Sequence, residues 1–158
     1  MIIRKATKED IPELNTLLKQ VCLVHHQGRP DLFQYGKKKY TSAELEELLE
    51  DTSRPVFVAV NELGCILGHA FCIHQEFKSH SVLTDVKTLY IDDICVLEDS
   101  RGQQVGKKLY EYVYQYAVDN NYYNITLNVW SFNSPALNFY ERCGFTPQKM
   151  GMEVILPK

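Results

Sequence analysis

The sequence has no excess of basic charge. Its 17 Lys and Arg are outnumbered by 20 Asp and Glu, for a formal net charge of -3. A global nucleic-acid footprint is therefore absent. No apolar run approaches the ~20 residues of a membrane helix; the longest, such as Val56 to Val60, are strand-length. The start, Met1-Ile2-Ile3-Arg4-Lys5, lacks an apolar signal-peptide core. The five cysteines are an odd number, and no C-x-x-C pair occurs. Each sits among apolar neighbours, so they read as small core hydrophobes in a reducing compartment. A soluble, cytoplasmic protein with no membrane or nucleic-acid partner is expected. Repeats, low-complexity tracts and long linkers are missing as well.

What is present fits one ordinary domain. The 158 residues are 45% hydrophobic and 23% charged, which predicts a single domain over 1–158. A chain of this length buries roughly two-thirds of its unfolded surface. The aromatics are uneven, with ten Tyr against one Trp and seven Phe.

Ile2 to Ala6 is predicted as a first strand. Thr7-Lys8-Glu9-Asp10 has capping-box spacing, and Pro12 is tolerated in a first turn. Ile11, Leu14, Leu17, Leu18, Val21 and Cys22 follow at helical spacing. His25 to Lys39 is polar, with Gly28, Pro30 and Gly36, and is predicted as a loop. Thr41-Ser42-Ala43-Glu44 caps a second helix, to about Glu50. Val56 to Val60 and Cys65 to Gln75 read as a hairpin about Asn61-Glu62-Leu63-Gly64. A fourth strand runs roughly from Val86 to Val96. Val105, Leu109, Tyr112, Val113 and Tyr116 mark a helix. Tyr123 to Trp130 is a strand, Ser134 to about Cys143 a helix closed by Gly144, and Met150 to Leu156 a last strand. The order βααβββαβαβ implies a mixed α/β fold with helices on the faces of a mixed sheet.

Two segments carry chemistry. In Val96-Leu97-Glu98-Asp99-Ser100-Arg101-Gly102-Gln103-Gln104-Val105-Gly106-Lys107 a strand ends and a helix begins at about Gln103. The free N–H groups of a helix start suit a pyrophosphate. Gly102 and Gly106 allow close approach, and Arg101 and Lys107 add positive charge. An ordinary strand-to-helix connection reads the same way. The turn is neither a P-loop, because Lys107 is followed by Lys108, nor a G-x-G-x-x-G fingerprint. Downstream, Asn133, Ala136 and Tyr140 fall at i, i+3 and i+7 on one helix face. Ala136 leaves room along that face, and Tyr140 offers a phenol about 10 Å from Asn133. Phe139 reads as a core aromatic.

Arg101-x-x-x-x-Gly106, followed by Asn133-x-x-Ala136-x-x-Phe139-Tyr140-x-x-x-Gly144-Phe145, resembles the GNAT superfamily of acetyl-CoA-dependent N-acetyltransferases. The resemblance covers most of the chain, including its opening and element order. It implies a splayed sheet, parted between Ile94-Cys95-Val96 and Leu127-Asn128-Val129. The pantetheine of acetyl-CoA would lie in the gap, bonded to backbone at Ile94 and Val96. The turn Arg101, Gly102, Gln103, Gln104, Val105, Gly106 and Lys107 would hold the pyrophosphate. Asn133, Pro135 and Ala136 would line the cofactor, and Tyr140 would protonate the departing thiolate. Gln104 departs from the family's R-x-x-G-x-G/A turn. A negative φ is expected there, since Gly102 and Gly106 remain.

An amine must lose a proton before it attacks a thioester, so a base within reach is useful. Asp92 and Asp93 precede the cofactor strand segment. On a regular strand Asp92, Ile94 and Val96 point one way, and Asp93 and Cys95 the other. A bulge would upset that count. The pair also resembles polyamine-acetylating members of the family, which makes Asp92 the expected base and Asp93 an amine-binding or structural group. His25, His26 and Asn128 are placed on the acceptor side, with Arg29 and Asp31 near the histidines. No metal is expected, because adjacent histidines point apart and no third ligand is suggested. His69 and His74 are expected to be structural, Lys37-Lys38-Lys39 to be a solvated face, and Cys95 to be inert. The expected function is direct transfer of acetyl to a primary amine of a small molecule or peptide. The alternatives are a non-catalytic acyl-CoA-binding sensor or subunit, and a structural protein using the Tyr110–Tyr116 helix as an interface. A homodimer is compatible with that helix.

Overall fold

The computed structural model describes all of residues 1–158, in two compact units, Met1–Asn128 and Val129–Lys158. The first unit contains β1 (Ile2–Lys5), α1 (Ile11–Gly28), α2 (Ser42–Glu50), β2 (Val56–Val60), β3 (Ile66–Glu76), β4 (Lys87–Val96), α3 (Val105–Asp119) and β5 (Asn124–Leu127). The strands lie in the sheet in sequence order. β1 to β4 pair antiparallel and β4–β5 parallel, so the sheet is mixed. A parallel neighbour needs a crossover of a dozen or so residues, and α3 supplies it. The β2–β3 turn is held by Asn61, whose side-chain oxygen accepts from the Leu63 and Cys65 amides at 3.0 and 2.9 Å.

All five residues of β2 are buried, as a strand covered on both faces requires. Val56, Val58, Val60, Phe71 and Cys95 meet Leu14, Leu17 and Leu18 of α1 and Leu45 and Leu48 of α2. On the other face α3 buries Val105, Leu109, Val113 and Ala117. Tyr112 and Tyr116 each set an edge against Phe57 at 5.1 Å, so these two tyrosines extend the apolar face as their spacing predicts. Tyr110 and Tyr114 lie against each other at 6.2 Å. No helix is long and apolar enough to cross a membrane.

Asp10 fixes the start of α1. Its carboxylate accepts both Arg4 guanidinium nitrogens, at 2.6 and 2.9 Å, and the Thr7 amide at 2.8 Å. Those donors hold it below the usual carboxylate range despite burial. The helix does not stop at Cys22. Nothing in Leu23-Val24-His25-His26-Gln27 breaks it, and it ends at Gly28, two residues before Pro30. His25 and His26 therefore stand on the last helical turn and not in a loop.

Three further expectations are corrected. Gln104 takes φ +61, in the left-handed region, where a negative φ was expected. As the residue before α3 it reverses the chain from the turn, and Gly102 at φ +77 shares that task. Second, β5 is four residues long, shorter than the predicted Tyr123–Trp130. Third, Met150 to Leu156 forms no strand. Its apolar side chains supply a pattern, but a strand also needs a backbone partner, and no ladder forms along it.

In the second unit, α4 spans Ser134–Arg142. Its ends are set locally. Asn133 accepts from the Ala136 amide at 3.3 Å, Pro135 occupies the first turn, and Gly144 at φ +93 follows the last. No residue from Val129 to Lys158 is buried.

Two substitutions test these local constraints. A Cβ on Gly68 would lie 2.6 Å from the Cys95 carbonyl oxygen and 3.1 Å from Leu109. Gly68→Ala is expected to destabilise by about 1–3 kcal/mol in urea unfolding, because backbone must move. Gln104→Gly removes left-handed strain at the cost of unfolded-chain entropy. A net gain of about 0.5–1 kcal/mol is expected in the same assay.

Candidate active site

The site is built around a bulge in β4. Phe71 lies opposite Asp93 and Cys72 opposite Ile91, so Asp92 is an extra residue with no partner on β3. Directly opposed residues share a face. Asp93 thus joins Phe71, on the α1–α2 side, and Cys95 joins His69. Ile94 and Val96 lie opposite Ala70 and Gly68, on the α3 side. Asp92 does not follow Ile94 and Val96, as regular alternation would require. Its carboxylate meets Lys39 and Tyr40, and Tyr40 stacks on Phe71 at 5.9 Å. The bulge puts both carboxylates on the α1–α2 side.

Their partners differ. Asp92 accepts the Lys39 ammonium at 2.5 Å and the Tyr40 hydroxyl at 3.2 Å through one oxygen, Oδ2. Arg54 donates to the Tyr40 hydroxyl at 2.8 Å. Burial pulls the Lys39 ammonium down, but its hydrogen bond to Asp92 together with the charges of Asp92, Tyr40 and Asp93 outweighs burial and leaves it above the usual lysine range. Burial and the Asp92 charge push the Tyr40 phenol up. Asp93 accepts from His69 Nε2 at 2.5 Å, and His69 is fully buried. From α1, Cys22 and His25 lie within electrostatic reach of Asp93 and Lys39. Burial raises the Cys22 thiol and lowers the His25 imidazole. His26 turns away, donating from Nδ1 to the Phe33 carbonyl at 2.7 Å. Asn128 donates to the Tyr90 hydroxyl at 3.3 Å.

At the bulge the β4–β5 pairing ends. β4 and β5 pair from Thr88–Asn124 to Ile91–Leu127 and no further. No strand is bonded to the far edge of β4 from Asp92 to Val96, because β5 itself ends at Leu127. Gln20 of α1 holds the end of β4. Its amide donates to the Val96 carbonyl at 2.9 Å and accepts from the Glu98 amide at 3.1 Å. The Val96 carbonyl is thus engaged within the chain. Burial pushes the Cys95 thiol up to about 12.

After β4 the chain makes the expected turn, and α3 starts at Val105, two residues later than expected. Gln104 gives no side-chain cap. The first-turn amides of Val105, Gly106 and Lys107 consequently have no intrahelical acceptor, and they carry the positive end of the helix dipole. Arg101, Gly102 and Gln103 are exposed beside them. Lys107 makes a loose surface pair with Glu111 at 3.8 Å. The exposed cationic side chains and uncapped amides fit an anionic diphosphate. In the second unit, Asn133 serves as the cap of α4, and Tyr140 packs edge-on between Phe139 and Phe145, at 5.2 and 5.6 Å.

Sequence reasoning missed His69, Lys39, Tyr40 and Arg54. His69 has one legible signal: it is a histidine inside the apolar run Ile66 to Ile73, two residues from Phe71, which faces Asp93 across the β3–β4 ladder. Lys39 hid in a basic triplet. It bonds Asp92, while Lys38 bonds Asn15 at 2.5 Å, so the triplet is not one solvated face.

The pattern of the Acetyltransferase (GNAT) family matches residues 23–145. A streptothricin acetyltransferase from Streptomyces lavendulae is 29% identical over 96 residues, covering 61% of this chain and 47% of that protein. The chain spans about half the length of this curated relative. A single-site mutant of BH1408 protein from Bacillus halodurans has a TM-score of 0.95 at 30% identity, over 99% of this chain and 100% of that one. An aminoglycoside acetyltransferase, meta-AAC0020, from an uncultured soil metagenomic sample, solved with sisomicin, shares the fold. Its TM-score is 0.73 at 19% identity, over 99% of this chain and 95% of that one. With the family pattern spanning both the acidic bulge and the α3 turn, the chain belongs to the GNAT family of acetyltransferases.

Proposed function

We propose that the chain transfers acetyl from acetyl-CoA directly to a primary amine of a cationic small molecule. The observation that carries this reading is the β4 bulge, which sets two carboxylates on one face beside an unpaired backbone edge. When bound, acetyl-CoA supplies an activated thioester. The turn Arg101–Lys107 takes the diphosphate, and the edge at Ile94–Val96 takes the pantetheine. Asp92 and Asp93 draw the ammonium in and one of them takes its proton. Tyr140 returns a proton to the departing thiolate. Such balanced exchange keeps both the nucleophile and the leaving group in their reactive forms.

Direct transfer is favoured over a covalent acyl-cysteine. The Cys95 thiol, raised to about 12 by burial, holds almost no thiolate at neutral pH. Two acetyltransferases similar to this chain are named for streptothricin and for aminoglycosides. The paired carboxylates suit such polycationic acceptors, for the Coulomb attraction grows with each charge within a Debye length.

Thiol release from acetyl-CoA, followed across a panel of aminoglycosides, polyamines, streptothricin and peptides, tests the proposal. Polycationic amines are expected to give turnover, and neutral or anionic ones none. Acetyl-CoA that raises the melting temperature with no thiol released by any amine would support the sensor reading instead. Tyr140→Phe is expected to lower kcat by about 10²-fold, the usual range for losing a general acid.

A further inference from the structure

The two carboxylates at the bulge are not equivalent, and their hydrogen bonds separate their roles. We infer that Asp93, held by the buried His69, is the group that takes the proton from the acceptor amine, and that Asp92 is the anchor for its charge. This reverses the order expected from sequence, and it rests on the acetyltransfer reading above.

His69 sits in the middle of β3 with no exposed surface, its ring edge-on to Phe71 at 4.8 Å. It cannot turn without displacing that ring. Nε2 meets Asp93 Oδ2 at 2.5 Å, and a carboxylate oxygen accepts, so the ring hydrogen lies on Nε2. The other nitrogen, Nδ1, is buried and has no partner. A hydrogen there would be a stranded buried donor, which costs the full desolvation of that group. The arrangement leaves one tautomer, one donor and one direction. His69 therefore positions Asp93 without itself reaching the acceptor.

The fixed bond uses only Oδ2. The second oxygen, Oδ1, has no hydrogen bond within the chain, and the side chain retains 14% of its surface. Asp92 also keeps its Oδ1 free, and differs in what its Oδ2 holds, an exchangeable ammonium in place of a fixed imidazole. One of its oxygens is already shared by the Lys39 ammonium and the Tyr40 hydroxyl. A carboxylate that already holds an ammonium ion can exchange it for another without any proton moving. The groups facing Asp93 are Cys22 and His25 of α1, Lys39 before α2, His69 of β3, and Asp92 and Cys95 of β4. Burial raises both thiols, which keeps them protonated, and lowers His25, which leaves a neutral imidazole with no charge to draw the ammonium in.

The step balances simply. The acceptor ammonium gives one proton to Asp93 Oδ1, directly or through one water, and becomes a neutral amine. Its nitrogen lone pair forms the new bond to the thioester carbonyl carbon, and the carbon–sulfur bond breaks. The sulfur leaves with that electron pair and takes the Tyr140 proton, while the nitrogen, cationic after its attack, loses its second proton to water, from which the Tyr140 phenolate is reprotonated. Asp93 then releases its proton to water.

Four proteins, compared with an amine that the unsubstituted chain acetylates, decide the matter. Asp93→Asn is expected to lower kcat at least 100-fold with KM changed less than threefold, and its rate should climb about tenfold per pH unit from pH 7 to 9, as only the free-amine fraction then reacts. Asp92→Asn is expected to raise KM about tenfold and to spare kcat. His69→Gln, whose amide can still donate to Asp93, should lose less kcat than His69→Ala, and both should acquire part of the steep pH dependence. Melting temperatures and acetyl-CoA binding, measured on the same proteins, separate misfolding from lost chemistry. If His69 variants lose stability while the pH profile of kcat stays in place, His69 is only structural and the inference falls. An undiminished kcat in Asp93→Asn, or a kcat loss confined to Asp92→Asn, overturns it while acetyl transfer stands. No thiol release from the unsubstituted chain with any amine overturns both.

Discussion

One unpaired residue in β4 governs the rest of the first unit's site. On a regular strand Asp92 and Asp93 would face opposite sides of the sheet, one toward α3 and one toward α1 and α2. The bulge turns both to the same side. The last β4–β5 pair, Ile91 with Leu127, falls just before the extra residue. A bulge increases local twist, and twist is what carries one strand away from its neighbour. A single irregularity therefore gathers two charges and coincides with the point at which the backbone edge becomes available.

Gathering two carboxylates has an electrostatic cost, because like charges at short range disfavour each other. The fold offsets it with groups drawn from three places in the chain. Lys39 and Tyr40 come from the segment before α2, Arg54 from the turn before β2, and His69 from the centre of β3. Gln20 adds a mechanical link, since one amide binds both the end of β4 and the start of the turn that follows. The face that carries the two carboxylates and the turn suited to diphosphate are thereby joined through α1.

Much of this was legible from the residues. β2 follows directly from its unbroken apolar run, and α1 and α3 from the helical spacing at which their apolar residues recur. The hairpin was marked by Asn61 and Gly64, and the α3 turn by its glycines and cationic residues. The illegible parts share a physical cause, which is dependence on long-range pairing. A bulge is a mismatch between two strands, and neither strand's sequence records it alone. Lys39 looks like any surface lysine until the sheet brings Asp92 to it across more than fifty positions. The tail from Met150 has the alternation of a strand, and alternation cannot supply a partner. Gln104 failed differently. Its left-handed φ is imposed by the direction in which α3 must leave the turn, and glutamine tolerates it at a modest energetic cost.

The bond between Lys39 and Asp92 has a further consequence. The Lys39 side chain ends in a primary ammonium, the same chemical group that the proposed acceptor carries. The site thus holds an internal surrogate, attached by the chain itself and present at a high effective concentration. Any incoming amine is measured against it. A monoamine offers Asp92 only what Lys39 already offers, and gains nothing by exchange. A molecule with several ammonium groups can engage both carboxylates at once, which a single tethered lysine cannot do. In the proposed reaction, selectivity for multiply charged acceptors would then arise from competition with the protein's own side chain, with no dedicated pocket for each charge.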